Sequence, residues 1–210
     1  MLQNHPEKRE EITNAISRNA ARLQRLTNDI LDVTRIESQT LKLNKEKFNL
    51  TELISSIVDD FKNDIQKKGN NVTLLYEPQD NNLVVEADKG RIAQVISNLL
   101  SNAVKFTKEG SISIKVVKDS KKHNNHQQEE QEEVIVSVKD TGTGIDSEIL
   151  PRLFTKFATK SELAGGTGLG LFISKSIVEA HGGRMWAENN SHNLSDNGGI
   201  GATFSFTLPL

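Results

Sequence analysis

Three polar segments, each set between apolar stretches, constrain this chain of 210 residues more than any other feature. The first places Asn98, Asn102 and Lys105 at i, i+4 and i+7 of a strongly helical stretch, and hence on one face. The other two are rich in glycine and read Asp140-Thr-Gly-Thr-Gly and Gly166-Thr-Gly-Leu-Gly-Leu. Because apolar elements flank each segment, their order predicts one nucleotide pocket assembled from distant parts of the chain.

The helical segment suits the phosphate end of a nucleotide. An amide oxygen is a hard, neutral ligand for Mg²⁺, which keeps several waters and bridges phosphate oxygens. A lysine offsets phosphate charge as a point cation. The alternative is an ordinary solvated helix face, and the two glycine segments make that alternative the weaker one.

Asp140 follows an alternating stretch, Val134–Lys139, that predicts a strand. A carboxylate at this point can accept a hydrogen bond from the exocyclic amine of adenine, whereas guanine presents a carbonyl oxygen there. Gly142 and Gly144 allow the backbone to approach the base and to turn sharply. In isolation, an ordinary turn at the end of a strand explains the same residues.

The third segment immediately precedes a stretch of helical periodicity. Glycines at the start of a helix expose backbone N–H groups to an anion, and the helix dipole adds to the attraction. Within the run that begins at Gly166, we predict phosphate contacts at Gly168 and Gly170, with Leu169 and Leu171 covering the site.

Together these segments resemble the N, G1, F and G2 boxes of the ATP-binding domain of sensor histidine kinases. They read NLLSNAVKFT, DTGTGI, LFTKFATK and GGTGLGLFI, and the resemblance extends over nearly the whole chain. The alternation of predicted strands and helices indicates a layered α/β fold. The resemblance makes this an α/β two-layer sandwich with a mixed sheet, of the histidine-kinase and gyrase ATPase type, preceded by a long bundle helix.

The resemblance also implies roles for single residues, with ATP and Mg²⁺ as the ligands. Asn102 is then the Mg²⁺ ligand, Asn98 supports the water shell of the metal, and Lys105 contacts phosphate. Thr203 resembles a threonine of the last strand that lies near the nucleotide.

The F box implies a flexible lid anchored on apolar surface by Phe154, Phe157 or both, although core packing explains Phe154 equally well. Many relatives place an arginine two residues after the second phenylalanine, whereas this chain has Thr159 followed by Lys160. The candidate lid cation for the γ-phosphate is therefore Lys160 or Lys156, and a lysine lacks the bidentate fork of arginine.

Apolar periodicity predicts the scaffold around these boxes. A helix from about Lys89 to Phe106, capped by Asp88, turns a second face to the core through Ile92, Val95, Ile96, Leu99, Leu100 and Ala103. Residues 40–50 form a polar connector, and Asn49 or Thr51 caps the helix that follows.

A long helix is predicted over residues 8–39, with one apolar stripe formed by Ile12, Ile16, Leu23, Leu26, Ile30 and Val33. The stripe either packs on its own domain or forms a bundle seam, and the absence of a short return loop favours the seam. The segment resembles the second helix of the histidine-kinase dimerisation bundle. We therefore expect a partial dimerisation helix over residues 1–45, with its acceptor helix absent, and an ATP-binding domain over residues 46–210.

The chain contains no His-Glu-x-x-x-Pro box, because His5-Pro-Glu has the wrong order. The resemblance thus implies a kinase that transfers the γ-phosphoryl group of Mg-ATP to a histidine on a separate bundle, not to itself in cis. One alternative is a non-catalytic nucleotide-binding and dimerisation module. Another is an ATPase related to type II topoisomerases and mismatch-repair proteins, whose water-activating glutamate would fall at Asn98, an amide without useful basicity.

Charge and composition narrow the expected partners. The 26 Lys and Arg residues against 28 Asp and Glu argue against a strongly electrostatic nucleic-acid binder, and the absence of cysteine excludes disulfides and thiolate zinc sites. No apolar run is long enough to cross a bilayer, so a cytoplasmic catalytic part is expected, with a membrane-anchored parent left open. The resemblance implies a response-regulator receiver domain, the His-box helix of the parent protein and a homodimeric parent.

Overall fold

The protein's computed structural model describes residues 6–69, 71–120, 132–158, 167–190 and 201–210. In chain order these residues form α1 (Pro6–Glu37), β1 (Glu46–Asn49), α2 (Leu50–Lys68), β2 (Asn71–Tyr76), β3 (Val84–Ala87), α3 (Lys89–Phe106), β4 (Glu109–Ser120), β5 (Glu132–Asp140), a 3₁₀ turn (Leu150–Arg152), α4 (Gly170–Ala180), β6 (Met185–Asn189) and β7 (Ala202–Pro209).

Five of the strands form one mixed sheet in the order β2-β4-β5-β7-β6. Strands β2 and β4 run parallel, whereas the other neighbouring pairs are antiparallel. Side chains alternate along a strand, so Val134, Val136 and Val138 of β5 enter the core beneath the helices, and Asp140 ends the same buried row. The predicted α/β sandwich with a mixed sheet is confirmed.

Helix α3 packs its predicted apolar face into the core, where each of the six residues is at most 2% exposed. The Asp88 side chain caps the helix by accepting a hydrogen bond from the Arg91 N–H. The Asp88 N–H in turn donates to Nε2 of the buried His181, which follows the last residue of α4. The start of α3 and the end of α4 are therefore joined.

The segment predicted as a polar connector contains a strand that the sequence pattern did not indicate. Glu46–Asn49 pairs antiparallel with β3, and of its side chains only that of Phe48 is buried. A single apolar residue among polar ones gives no alternation to detect. Asn49 then caps α2, accepting hydrogen bonds from the N–H groups of Thr51 and Glu52.

Helix α1 leaves most of its apolar stripe uncovered. Exposure lies between 38% and 65% at Ile12, Ile16, Leu23, Leu26 and Ile30. The contacts of α1 with the rest of the chain are made by polar side chains, among them the buried carboxylate of Asp32, and by Val33 and Ile36, which pack against the core. The five exposed residues of the stripe therefore do not pack on the chain's own domain, whereas Val33, its last residue, does. None of the helices within the described ranges is long and apolar enough to cross a membrane.

Candidate functional site

A cavity of about 1080 Å³ lies between α3, α4, the ends of β5 and β7, and the polar face of α1. It brings together residues from all three of the segments singled out in the sequence. The residues predicted for the site that line this cavity are Asn98, Asn102, Lys105, Asp140, Gly144, Gly168 and Gly170.

The amide of Asn98 is held in one orientation by α4. Its Nδ2 donates a hydrogen bond to Oγ of the buried Ser174 at 3.0 Å, so the amide oxygen remains for other partners. That oxygen lies against Gly170, where an added Cβ would stand only 2.4 Å from it. A larger residue at position 170 would therefore displace the Asn98 amide from this position.

Lys105 gives the cavity a cation that no acid among the described residues neutralises. Within the described ranges no ion pair involves it, and its Nζ lies 4.9 Å from the centre of the Phe106 ring. Partial burial lowers the pKa of Lys105, because desolvation disfavours the ammonium form. An anion that entered the cavity would restore the interactions that the ammonium has lost.

Asp140 is a buried carboxylate, 3% exposed, whose two oxygens have different surroundings. Oδ1 accepts hydrogen bonds from the N–H groups of Gly142 at 2.8 Å and Ala202 at 3.3 Å. Burial raises the pKa of Asp140, and these two hydrogen bonds oppose the increase. Oδ2 has no partner among the described residues, so it is available to a donor on a ligand.

The start of α4 has backbone N–H groups that no capping side chain occupies. Just before it, Oγ1 of Thr167 accepts a hydrogen bond from the Leu169 N–H and donates one to Asp29 of α1. The Thr167 side chain thus joins the residues before α4 both to Leu169 and to α1. The free N–H groups at the start of α4 lie beside it, and such groups attract anions.

Two predicted residues support the site without lining the cavity. Gly142 is buried beneath α3, and an added Cβ would lie 2.4 Å from the carbonyl oxygen of Phe106. Leu169 is 2% exposed and packs in the core, whereas its neighbour Leu171 lines the cavity. Of the two leucines predicted to cover the site, Leu171 therefore lines the cavity and Leu169 does not.

Phe157 and Thr203 do not line the cavity, although the Phe157 N–H donates a hydrogen bond to the carbonyl of Gly168, which does. Phe157 is 68% exposed, whereas Phe154 packs against the core, so of the two candidate anchors only Phe154 contacts apolar surface. Thr203 donates a hydrogen bond to Asn190. Its neighbours Ala202 and Phe204 line the cavity, and the alternation of side chains along β7 directs Thr203 to the opposite face.

Of the two lysines predicted as lid cations, the described residues include only Lys156. Lys156 forms an ion pair with Glu37 of α1 and does not line the cavity. Lys160 and Gly166, which the sequence analysis also assigned to nucleotide binding, lie outside the described residues, as does Thr159.

Sequence reasoning missed Ser174 and the whole wall contributed by α1. A signal for Ser174 exists, since a serine four residues after Gly170 interrupts an otherwise apolar face of α4. No comparable signal exists for α1, because polar residues on a long helix are ordinarily solvated.

The residues present fit a magnesium ion only together with phosphate. Among the described residues, no three His, Asp or Glu side chains converge to hold a metal by themselves. The donors at hand are the neutral amide oxygens of Asn98 and Asn102, which line the cavity beside Lys105. This set suits Mg²⁺ that arrives with its waters and with phosphate oxygens as further ligands.

Comparison with known proteins gives one consistent family. Residues 87–210, more than half of the chain, match the family model described as histidine kinase-, DNA gyrase B-, and HSP90-like ATPase. Sensor histidine kinase WalK of Bacillus subtilis is 35% identical over 90% of this chain. The chain spans 28% of WalK, and 10% and 21% of two further curated relatives that it matches.

Solved structures agree with this result. The catalytic domain of histidine kinase ThkA is 34% identical with a TM-score of 0.61, covering 79% of this chain and 95% of that domain. Full-length ShkA in complex with AMPPNP has 26% identity and a TM-score of 0.68, over 98% of this chain and 39% of ShkA. ThkA in complex with the response regulator TrrA has 30% identity and a TM-score of 0.64, over 98% of this chain and 52% of that one.

Proposed function

The chain belongs to the histidine kinase-, DNA gyrase B-, and HSP90-like ATPases as the catalytic domain of a sensor histidine kinase, and from that premise we propose that it binds Mg-ATP and transfers the γ-phosphoryl group to a histidine on a dimerisation bundle. One observation carries the proposal: a single cavity is lined by a carboxylate with a free oxygen, by a lysine without an ion-pair partner among the described residues, and by the uncapped start of a helix. A purine base and a polyphosphate chain need these kinds of partner.

The base end selects adenine. Oδ1 of Asp140 is fixed by two backbone N–H groups, which leaves Oδ2 to accept a hydrogen bond from the adenine amine. Guanine would place a carbonyl oxygen against the same carboxylate, and two acceptors facing each other in a buried site are costly. The chain is therefore expected to prefer ATP over GTP.

The phosphate end is formed by α3 and the start of α4. Asn102 would hold Mg²⁺ and Asn98 its water shell, and the ion supplies charge neutralisation of the phosphate oxygens when bound. Lys105 adds a cation from α3, and the N–H groups at Gly168 and Gly170 add dipoles from α4. Phosphoryl transfer relies on positioning and charge neutralisation, which these groups provide without a covalent step on the domain itself.

The partners follow from the same premise. The structure of ThkA with TrrA supports a response-regulator receiver domain as the acceptor in the next transfer. The exposed apolar stripe on α1 supports a homodimeric bundle, in which residues 1–45 form the dimerisation part and residues 46–210 the ATP-binding domain. The His-box helix of the parent protein would cover the stripe.

The experiment follows label from γ-³²P ATP with Mg²⁺ onto a separately prepared bundle that carries a His box. The wild-type chain is compared with Asn102→Ala, which removes the proposed metal ligand. It is also compared with Arg9→Gln, which changes an exposed residue near the beginning of α1 that does not line the cavity. We expect label on the bundle with the wild type and with Arg9→Gln, and a loss of at least about a hundredfold with Asn102→Ala.

The alternative outcomes are distinct. ATP binding without transfer to any bundle would identify a nucleotide-binding module. Release of free phosphate that Asn98→Ala abolishes would indicate an ATPase of the topoisomerase and mismatch-repair type.

A further inference from the structure

Helix α1 contributes a wall of the nucleotide cavity through one polar face. Arg22, Arg25, Asp29 and Asp32 follow one another at spacings of three, four and three, which places them along one side of the helix. All four line the cavity that also contains Asn102. This face lies beside the apolar stripe that the structure leaves mostly exposed, about 110° around the helix from it.

The two carboxylates of this face anchor α1 to the rest of the chain. Asp32 is 5% exposed and accepts hydrogen bonds from Nη1 of Arg91 at 2.8 Å, to both oxygens, and from Gln94 at 2.9 Å. Asp29 accepts a hydrogen bond from Thr167 at 2.9 Å. Because Asp29 and Asp32 lie on the same side of α1, their hydrogen bonds fix the rotation of the helix about its axis.

The two arginines of the face form no close ion pair with an acid in the described part of the chain. Arg25 interacts electrostatically with Asp29, beyond ion-pair distance. The Asp29 carboxylate accepts its hydrogen bond from Thr167 instead. Both guanidinium groups are therefore exposed at the cavity and can form hydrogen bonds to a ligand.

The position of the anchors indicates which end of the nucleotide these arginines meet. Thr167 directly precedes Gly168, whose N–H group belongs to the proposed phosphate site. Thr167 donates a hydrogen bond to Asp29, and Arg25 lies about one helical turn before Asp29. Asp140, the base-recognition residue, is bound by backbone groups of Gly142 and Ala202 instead. The arginine face thus extends from the phosphate end of the cavity.

We propose that Arg25, with Arg22 beside it, binds the terminal phosphate of the bound nucleotide from the α1 side. The inference rests on the proposed function, since it concerns the same cavity. A guanidinium group donates two parallel hydrogen bonds to a phosphate, a geometry that the ammonium group of Lys105, which also lines the cavity, cannot provide. Helix α1 is then part of the ATP site as well as a bundle helix.

Calorimetric titration of the intact chain with ATP, ADP and AMP, each with Mg²⁺, tests the proposal. For Arg25→Gln we expect the Kd for ATP to rise about tenfold and the Kd for ADP to change less than about twofold, because only ATP carries the contacted phosphate. Arg22→Gln should show a smaller change in the same direction. Arg25→Lys, which keeps the charge without the fork, should lie between Arg25→Gln and the wild type.

The matched control is Arg9→Gln, the same substitution on the same helix at an exposed position that does not line the cavity. Its affinities should equal those of the wild type. ATP affinity that is unchanged in both Arg22→Gln and Arg25→Gln would overturn the inference and leave the proposed function standing. An equal loss for ATP, ADP and AMP would also overturn it, since a general loss indicates a changed cavity. A wild-type chain that binds none of the three nucleotides would refute both proposals.

Discussion

Helix α3 and helix α1 both repeat apolar residues at helical spacing, yet the structure buries one stripe and exposes the other. In α3 the six apolar residues are at most 2% exposed, whereas five residues of the α1 stripe are between 38% and 65% exposed. The polar faces differ as well. The polar face of α3 lines a cavity, and that of α1 binds the domain through buried hydrogen bonds.

The difference shows what periodicity specifies. A repeat of about 3.6 residues determines that a helix forms and which side is apolar, but the partner of that side is determined by the rest of the chain. For α3 the partners are the sheet and the neighbouring helices. For α1 the contacts come from the polar side and from Val33 and Ile36 near the end of the helix, so the rest of the apolar side remains exposed.

The largest expected effect comes from the same substitution made in both helices. Leu99→Ala removes a fully buried side chain and should lower the free energy of unfolding by about 2 to 5 kcal/mol. Leu23→Ala, at a position 65% exposed, should change it by less than about 0.5 kcal/mol. Urea denaturation at low protein concentration measures both. Equal losses would show that the α1 stripe is covered in solution.

A smaller effect is expected from the anchor of α1. Asp32→Asn replaces a charged acceptor of Arg91 and should weaken the docking of α1 by about 1.5 to 3 kcal/mol. The side chain of Arg91 is 20% exposed, so water partly compensates for the loss. Amide hydrogen exchange should become faster in the last two turns of α1 and stay slow in α3.

A double-mutant cycle with Arg91→Gln completes this test. The two substitutions together should cost clearly less than the sum of their separate effects, because they remove one shared interaction. Strict additivity would mean that the ion pair does not hold α1.

The smallest expected effect is a pH dependence of the free energy of unfolding, caused by His181, which is hydrogen-bonded to Asp88 at the start of α3. His181 is buried and accepts the Asp88 N–H through Nε2, so Nδ1 carries the proton and donates to the Ile177 carbonyl. Burial lowers the pKa of His181 in the folded state, and its contribution to stability is therefore present above pH 6.5 and lost as pH falls through the lowered pKa. The loss is at most about 1.4 kcal/mol per pH unit.

Melting temperatures between pH 7.5 and 5 measure this contribution, with His181→Gln as the comparison. The variant should show a flatter dependence than the wild type over the acidic part of the range. Parallel curves for the two proteins would indicate that other groups cause the dependence.

Local patterns predicted the parts of the molecule in which neighbours in sequence decide the structure. These local patterns predicted the Asp88 cap and the buried face of α3. The order of the sequence boxes and their family resemblance predicted that Asn98 and Asp140 line one pocket. Pairings between distant residues escaped prediction. Phe48 alone could not reveal β1, and the bond between Asp32 and Arg91 joins residues that are 59 positions apart. The direction of Thr203 depends on the register of β7, which the composition of the strand does not determine.

The two hydrogen bonds between α3 and α4 have a consequence for how a ligand is received. One lies at the end of α4, from Asp88 to His181, and the other lies further along α3, from Asn98 to Ser174. Helices joined at two separated points resist both sliding and splaying, so the amide of Asn98 and the glycines at the start of α4 keep their spacing before any nucleotide arrives. Little conformational entropy is then lost in this part of the site on binding, and the preorganised pair acts as a fixed reference against which α1 can move.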